Sequence, residues 1–151
     1  MQAHDIMISE VYKVKENESI RSVIEKFVDK HISGLPVVND KNEVVAYISD
    51  GDIMRYIGKH KDLVIHTFYF FSVLKGDEED FEQRIEHILD LNVMMLARKK
   101  VLKVHWDTEV EDIAAILGEK QIKKLPVVRD GVLVGIISRG DVIRTTFRGL
   151  L

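Results

Sequence analysis

Apolar residues in this chain recur in two spacings, and the same order of spacings occurs twice. Val11 to Val14 alternates apolar with polar or basic positions, as a short strand does. Ile20, Val23, Ile24 and Phe27 then fall at i, i+3, i+4 and i+7, one apolar stripe on a helix. Two apolar runs follow, Leu35–Val38 and Glu43–Ile48, joined by the turn residues Asp40-Lys41-Asn42, and a further helix is predicted from Ser49 to about His60. The order returns downstream. Val101 to Val104 alternates, Val110, Ile113, Ala114 and Leu117 form a stripe, and Thr108 with Glu111 is the pattern of a capping box. Asp130-Gly131 makes the second hairpin turn tighter, and the last helix is predicted from Ser138 to about Phe147.

The second occurrence is a copy. Ile32-Ser33-Gly34-Leu35-Pro36-Val37-Val38 returns as Ile122-Lys123-Lys124-Leu125-Pro126-Val127-Val128. Val45 to Asp52 returns as Val134 to Asp141. Across residues 121–144, 12 of 24 positions are identical to the first copy with one residue deleted after Asp130, which excludes coincidence. The chain's 2 prolines, Pro36 and Pro126, stand at equivalent places. An offset of about 90 residues with two copies is too long and too few for a solenoid, and predicts a pseudo-twofold pair. Each unit reads β-α-β-β-α, and one unit has too little core to stand alone.

Composition narrows the function classes. The 151 residues carry 22 basic and 25 acidic side chains, a net charge of −3, which argues against nucleic acid as the partner. Zero cysteines exclude disulfides, thiolate metal sites and a cysteine nucleophile, and fit a reducing cytoplasm. The start, Met1 to Asp5, lacks the features of a signal peptide. The most apolar run, Leu63–Leu74, is too short to cross a membrane. The expectation is a cytoplasmic protein with no membrane contact. His4, His31, His60, His66, His87 and His105 form no HExxH or His-x-His spacing, so no metal site is expected. Neither a phosphate-binding glycine loop nor a Gly-x-Ser-x-Gly elbow is present, and the expectation is a protein that is not an enzyme.

The repeated pieces carry a resemblance. Asp5-Ile6-Met7 leading into a valine-rich strand, the helix, the x-x-Leu-Pro-Val-Val strand and the Ser-x-x-Asp ending, twice in that order, resemble the CBS-domain family in its tandem form, the Bateman module. The resemblance implies an α+β fold of two β-α-β-β-α repeats related by a pseudo-twofold axis. It divides the chain into repeat 1 (residues 1–60), a partly helical insertion (61–90) and repeat 2 (91–151).

It also implies a regulatory module that binds an adenosyl compound between the repeats: AMP, ADP or ATP first, with S-adenosylmethionine or NAD as further candidates. An ionised aspartate accepts both ribose hydroxyls, and a serine at a helix N-terminus sits among N–H groups suited to phosphate. The main cleft is expected to join Ser138, Arg139 and Asp141 with Lys123 and Lys124, against Ile32, Ser33 and Gly34 of the other repeat. A weaker second cleft is expected from Ser49, Asp52 and Ile122, with Asp50 repelling phosphate. The Ser-x-x-Asp pairs equally read as capping boxes. The resemblance further implies a homodimer and a regulated protein supplied as a separate polypeptide.

The insertion is expected to add core, form a dimer interface, or serve as a lid or partner site. It contains His66-Thr67-Phe68-Tyr69-Phe70-Phe71, then Phe81, Ile85, Ile88 and Leu89 at helical spacing. The alternative function is a ligand-free interaction or dimerisation module.

Overall fold

The computed structural model describes every residue except Lys75 and Gln121, and leaves the side chains of Leu63 and Ile65 undescribed. Both repeats adopt the predicted unit. In repeat 1, following a short helix α1 (Ala3–Ile6), strand β1 (Val14–Lys15) leads to α2 (Ile20–Lys30), β2 (Gly34–Val38), β3 (Val44–Ser49) and α3 (Asp50–Ile57). A hairpin of β4 (Leu63–His66) and β5 (Phe71–Leu74) and helix α4 (Phe81–Leu89) make up the insertion. Repeat 2 is β6 (Val104–His105), α5 (Val110–Glu119), β7 (Lys124–Arg129), β8 (Val132–Ser138) and α6 (Arg139–Phe147).

Each repeat forms a three-stranded sheet, β1-β2-β3 and β6-β7-β8, with the first pair parallel and the second antiparallel. Both sheets shift register at the same place, between Val37 and Val38 and between Val127 and Val128. In repeat 2 the turn is tight: Asp130 (φ 51°) and Gly131 (φ 80°) are both left-handed, the conformation of a two-residue hairpin whose twist matches its strands. β2 is buried along its whole length, whereas β3 and β8 alternate buried with half-buried residues. A shared cluster of Val38, Val44, Val128 and Leu133 joins the two sheets, and the side-chain amide of Asn42 donates to the Leu133 carbonyl (3.1 Å).

Each repeat takes its neighbouring arm from the other half of the chain. Ala3 and Ile6 are buried with Val104, Ile113 and Leu125 of repeat 2, and Ile8 pairs with Ile136. Reciprocally, Val93 is buried with Val14, Ile20 and Leu35 of repeat 1, and Arg98 pairs with Tyr47. Residues 3–8 and 91–98 therefore pack on the repeat opposite to the one that follows them in the sequence, where the sequence division at 60 and 91 places them in their own. Exchange of arms makes the two small cores interdependent.

Three local expectations are corrected. The strands over Val11–Val14 and Val101–Val104 shrink to residues 14–15 and 104–105, because the segments ahead of them cross to the other repeat. α3 ends at Ile57, not His60, and Gly58 turns extended. Thr108 and Glu111 do not cap α5: its N-cap is Glu109, without a side-chain cap, and the Thr108 carbonyl accepts from the Ala3 amide (2.8 Å).

The insertion divides in two. α4 is extra core, delivering Ile88 and Leu89 onto the Ile24, Phe27, Tyr56 and Ile57 side of repeat 1. The aromatic hairpin is not core: Phe68 is 96% and Tyr69 90% exposed. No helix among the described residues is long and apolar enough to cross a membrane.

Candidate functional site

Both Ser-x-x-Asp pairs sit at a strand-to-helix corner. At Ser138, β8 ends and α6 begins. Its hydroxyl accepts from the Asp141 amide (3.1 Å), and its own amide donates to Asp141 Oδ2 (2.8 Å). At Ser49, the amide and hydroxyl both donate to Asp52 Oδ2, at 2.9 and 3.2 Å. The capping reading of these pairs thus has a structural basis, and it leaves the helix N–H groups gathered at the same corner.

The aspartates differ in what else they hold. Both are buried, at 6% and 8% exposure, and each accepts from the arginine three residues on. Arg144 donates to Asp141 Oδ1 at 3.1 Å, and Arg55 donates to Asp52 Oδ1. Asp52 has a second cation, Arg98, whose Nε lies 3.5 Å from the same oxygen. The equivalent of Arg98 in the other half is Ile8, so Asp141 has no such partner among the described residues.

The predicted main cleft is rearranged. Lys123 and Lys124 border a hollow of about 240 Å³ together with Ile122, Ser33, Gly34, Tyr47, Ser49, Asp50 and Arg98. Both lysines of repeat 2 thus border the helix corner of repeat 1, and Lys123 also borders a hollow beside Arg139 at the start of α6 in its own repeat. Residues preceding both Leu-Pro strands border this one hollow, Ser33 and Gly34 beside the corner of their own repeat and Lys123 and Lys124 from the other. The hollow at Ser49, expected to be the weaker cleft, thus holds the two lysines that were expected in the main one.

Arg139 is also misplaced by the sequence reading. Its guanidinium donates to the carbonyls of Ile122 (2.9 Å) and Leu117 (3.1 Å), which holds it on the outer face of repeat 2. Ile32, Gly34 and Lys124 border a second inter-repeat hollow of about 140 Å³, with Ile8, Tyr12 and Ile136. Ser138, Asp141 and Asp52 line neither hollow directly. Asp52 reaches the larger one through Arg98.

Sequence reasoning missed Arg98 and Tyr47. Their backbones exchange two hydrogen bonds of 2.9 Å, and both side chains wall the larger hollow. Gly34 is required beside them, because a Cβ there would stand 2.6 Å from the Tyr47 hydroxyl. Burial, and then the Asp50 carboxylate, push the Tyr47 phenol up to about 12, so it is a neutral hydrogen-bonding group. Aligning the arms 5–8 and 95–98 as part of the repeat would have flagged Arg98 as a charge replacing Ile8.

The larger hollow therefore offers three cations, Lys123, Lys124 and Arg98, against the carboxylates of Asp50 and Asp52. A helix N-terminus stands at one end and a tyrosine ring on one wall. That set suits an anion joined to a polyhydroxyl group: phosphate on the cations and N–H groups, hydroxyls on a carboxylate.

Comparison with known proteins agrees with the fold. The CBS domain family matches residues 3–59 and 93–147. The Methanocaldococcus jannaschii protein MJ1426 is 32% identical over 153 residues, spanning 95% of this chain and 89% of that one. The chloroplastic CBS domain-containing protein CBSX2 of Arabidopsis thaliana is 29% identical over 141 residues, of which the match spans 59%. A crystal structure of CBSX2 in complex with AMP superposes with a TM-score of 0.74 at 27% identity, covering 99% of this chain and 98% of that one. A homoserine O-acetyltransferase of Methanococcus vannielii is 26% identical over 142 residues, but only 24% of that enzyme is matched.

Proposed function

The chain belongs to the CBS-domain family as a paired-repeat regulatory module, and we propose that it senses an adenine nucleotide, AMP, ADP or ATP, in the cleft between its repeats. The observation that carries this reading is the meeting of Lys123 and Lys124 from repeat 2 with the Ser49 helix corner of repeat 1 in one hollow. The AMP complex of CBSX2 supports the ligand class. In this arrangement phosphate oxygens engage Lys123, Lys124 and the N–H groups at Ser49. The ribose hydroxyls turn to Asp52, and Arg98 moves from the aspartate toward the phosphate.

Among the described residues, the Asp141 corner has no counterpart of Arg98, and neither inter-repeat hollow is lined by Ser138 or Asp141. That corner is suited to a ligand without phosphate, or to none. S-adenosylmethionine is less suited than a nucleotide to the larger cleft, because its sulfonium would face three cations.

A regulator of this kind acts by binding one of two conformations better and shifting their populations, which a partner protein then reads. The proposed setting is the cytoplasm. Equilibrium titration with AMP, ADP and ATP tests the reading. Saturable binding that is weakened by Lys124→Glu supports it, and absence of binding by all three contradicts it. The exposed aromatic hairpin favours a second reading, a protein-interaction module, and that reading predicts no response to nucleotide.

A further inference from the structure

β4 and β5 form a finger that stands out into solvent, with Leu63 paired to Leu74 at its base and His66 to Phe71 near its tip. Its neck is fastened. The His60 backbone amide and ring both bond Asp77 at 2.7 Å, and the Gly76 amide donates to Asp62 Oδ1 (2.9 Å). Arg84 ties the far side of the neck to the carbonyls of Ile57 (3.1 Å) and Glu79 (2.6 Å). The tip is fastened as well. The Thr67 amide and hydroxyl donate to the Phe70 carbonyl (2.7 and 2.9 Å), and the Phe70 amide donates back to that hydroxyl (3.0 Å). Phe68 and Tyr69 meet edge to face across the turn, with ring centres 5.4 Å apart.

A tip held in shape has already lost much of its conformational freedom, so covering it costs little further entropy. Phe70 and Phe71 are exposed beside Phe68 and Tyr69, and Val64 and Val73 are exposed on the face that carries His66 and Phe71. No aspartate, glutamate, lysine or arginine occurs from Leu63 to Leu74, so burial of the finger desolvates no permanent charge. Charge is concentrated below it. Residues 62–90 carry eight acidic and two basic side chains, which makes the insertion strongly acidic and leaves the rest of the chain net positive. Glu78 and Glu82 are exposed at the neck and in the first turn of α4.

We propose that the finger docks into another protein, one that offers an apolar pocket within a rim of lysine and arginine. The aromatic knob fills the pocket, where buried rings supply most of the binding energy, and the acidic collar meets the rim. The same collar disfavours two other surfaces that take up aromatic side chains, since an anionic bilayer and a nucleic acid both repel it. The finger stands at the Ile57 end of α3 and the Ser49 corner at the other end, so docking needs no nucleotide. It rests on the protein-interaction reading of the hairpin and not on nucleotide binding, and each can fail without the other.

The test pans a phage library of random dodecapeptides against the immobilised full chain without nucleotide, and in parallel against F68S/Y69S. Circular dichroism verifies that each variant is folded; both substituted residues lie in an exposed turn, outside the core. The expected result is a set of peptides enriched on the wild type alone, with apolar residues beside Lys or Arg and without Asp or Glu. The leading peptide, made synthetically, should bind F68S/Y69S about tenfold more weakly or worse. E78K/E82K should weaken it by roughly threefold to tenfold, and added salt should act in the same direction. No enrichment above background overturns the proposal, as does equal enrichment on F68S/Y69S or a peptide set without basic residues. Sedimentation of the wild type, but not F68S/Y69S, with vesicles of equal parts phosphatidylcholine and phosphatidylglycerol overturns it in favour of a membrane. Self-association lost in F68S/Y69S overturns it in favour of a second copy.

Discussion

Met7 occupies the space that a side chain on Gly135 would need. A Cβ at Gly135 would lie 3.0 Å or less from three Met7 side-chain atoms, in the strand that receives the exchanged N-terminal arm. The opposite half solves the same contact with two small residues, Ala97 on the arm and Ala46 on the strand, both packed in the repeat 1 core. Gly135→Ala should therefore overpack one half only. The expected cost is about 1–3 kcal/mol, read as a melting temperature several degrees lower. The same substitution paired with Met7→Ala should recover most of the loss, and the two melting curves check it.

The neck of the insertion depends on pH through His60. Its Nδ1 lies 2.7 Å from Asp77 Oδ1 and its Nε2 2.7 Å from the Arg55 carbonyl, so both ring nitrogens face acceptors and both bonds form only in the imidazolium. The Asp77 hydrogen bond first, then that of the Arg55 carbonyl, raises the His60 pKa, while the charge of Arg84 opposes. Bonds from the His60 backbone and ring hold the Asp77 carboxyl below its ordinary value. The His60 contribution is complete below the unfolded histidine pKa and is lost as pH rises through the raised one. The Asp77 contribution is present above the unfolded carboxyl pKa and is lost as pH falls through the lowered one. Protection of the β4 and β5 amides, taken as the exchange rate relative to the intrinsic base-catalysed rate at each pH, should thus be greatest in mildly acidic solution and fall as pH rises through the raised His60 value. In His60→Gln that loss of protection with rising pH should disappear.

Arg98 separates phosphate recognition from nucleoside recognition. It holds Asp52 from 3.5 Å and is otherwise exposed at the cleft wall. Arg98→Ala should weaken ATP binding by roughly tenfold, the scale of one charge-assisted contact. Adenosine should be unaffected or bound better, because the Asp52 carboxylate is freed. Parallel calorimetric titrations with the two ligands read the difference, and equal losses for both would place Arg98 outside phosphate recognition.

Much of the fold was legible because the chain states it twice. The order of elements, both hairpins and the pseudo-twofold follow from matched residues such as Leu35-Pro36 and Leu125-Pro126, and the Asp130-Gly131 turn has the conformation its residues dictate. The exchange of arms was not legible. Ile6 and Val93 satisfy the hydrophobic pattern equally well on either repeat, and only the packing of both repeats together decides between them. The same limit misplaced the lysines. Sequence proximity ties Lys123 and Lys124 to Ser138 through the β7–β8 pairing, where Lys124 is indeed opposite Ser138. Both nevertheless also border the hollow at Ser49 of the other repeat, which no local pattern in the sequence announces. Arg139 stood in a phosphate-binding motif, but the open carbonyls of Leu117 and Ile122 nearby captured its guanidinium instead.

The central claim, nucleotide recognition at the Ser49 corner by lysines of the other repeat, is tested most directly by thermal unfolding with and without AMP, ADP and ATP. The wild type is compared with K123E/K124E, Asp52→Asn and Asp141→Asn. Ligand at a hundred times its dissociation constant adds about 2.7 kcal/mol, several degrees for a chain of this size. The account predicts that shift for at least one nucleotide in the wild type and in Asp141→Asn, and its loss in K123E/K124E and Asp52→Asn. A shift abolished by Asp141→Asn and retained in Asp52→Asn, or no shift with any nucleotide, would contradict it.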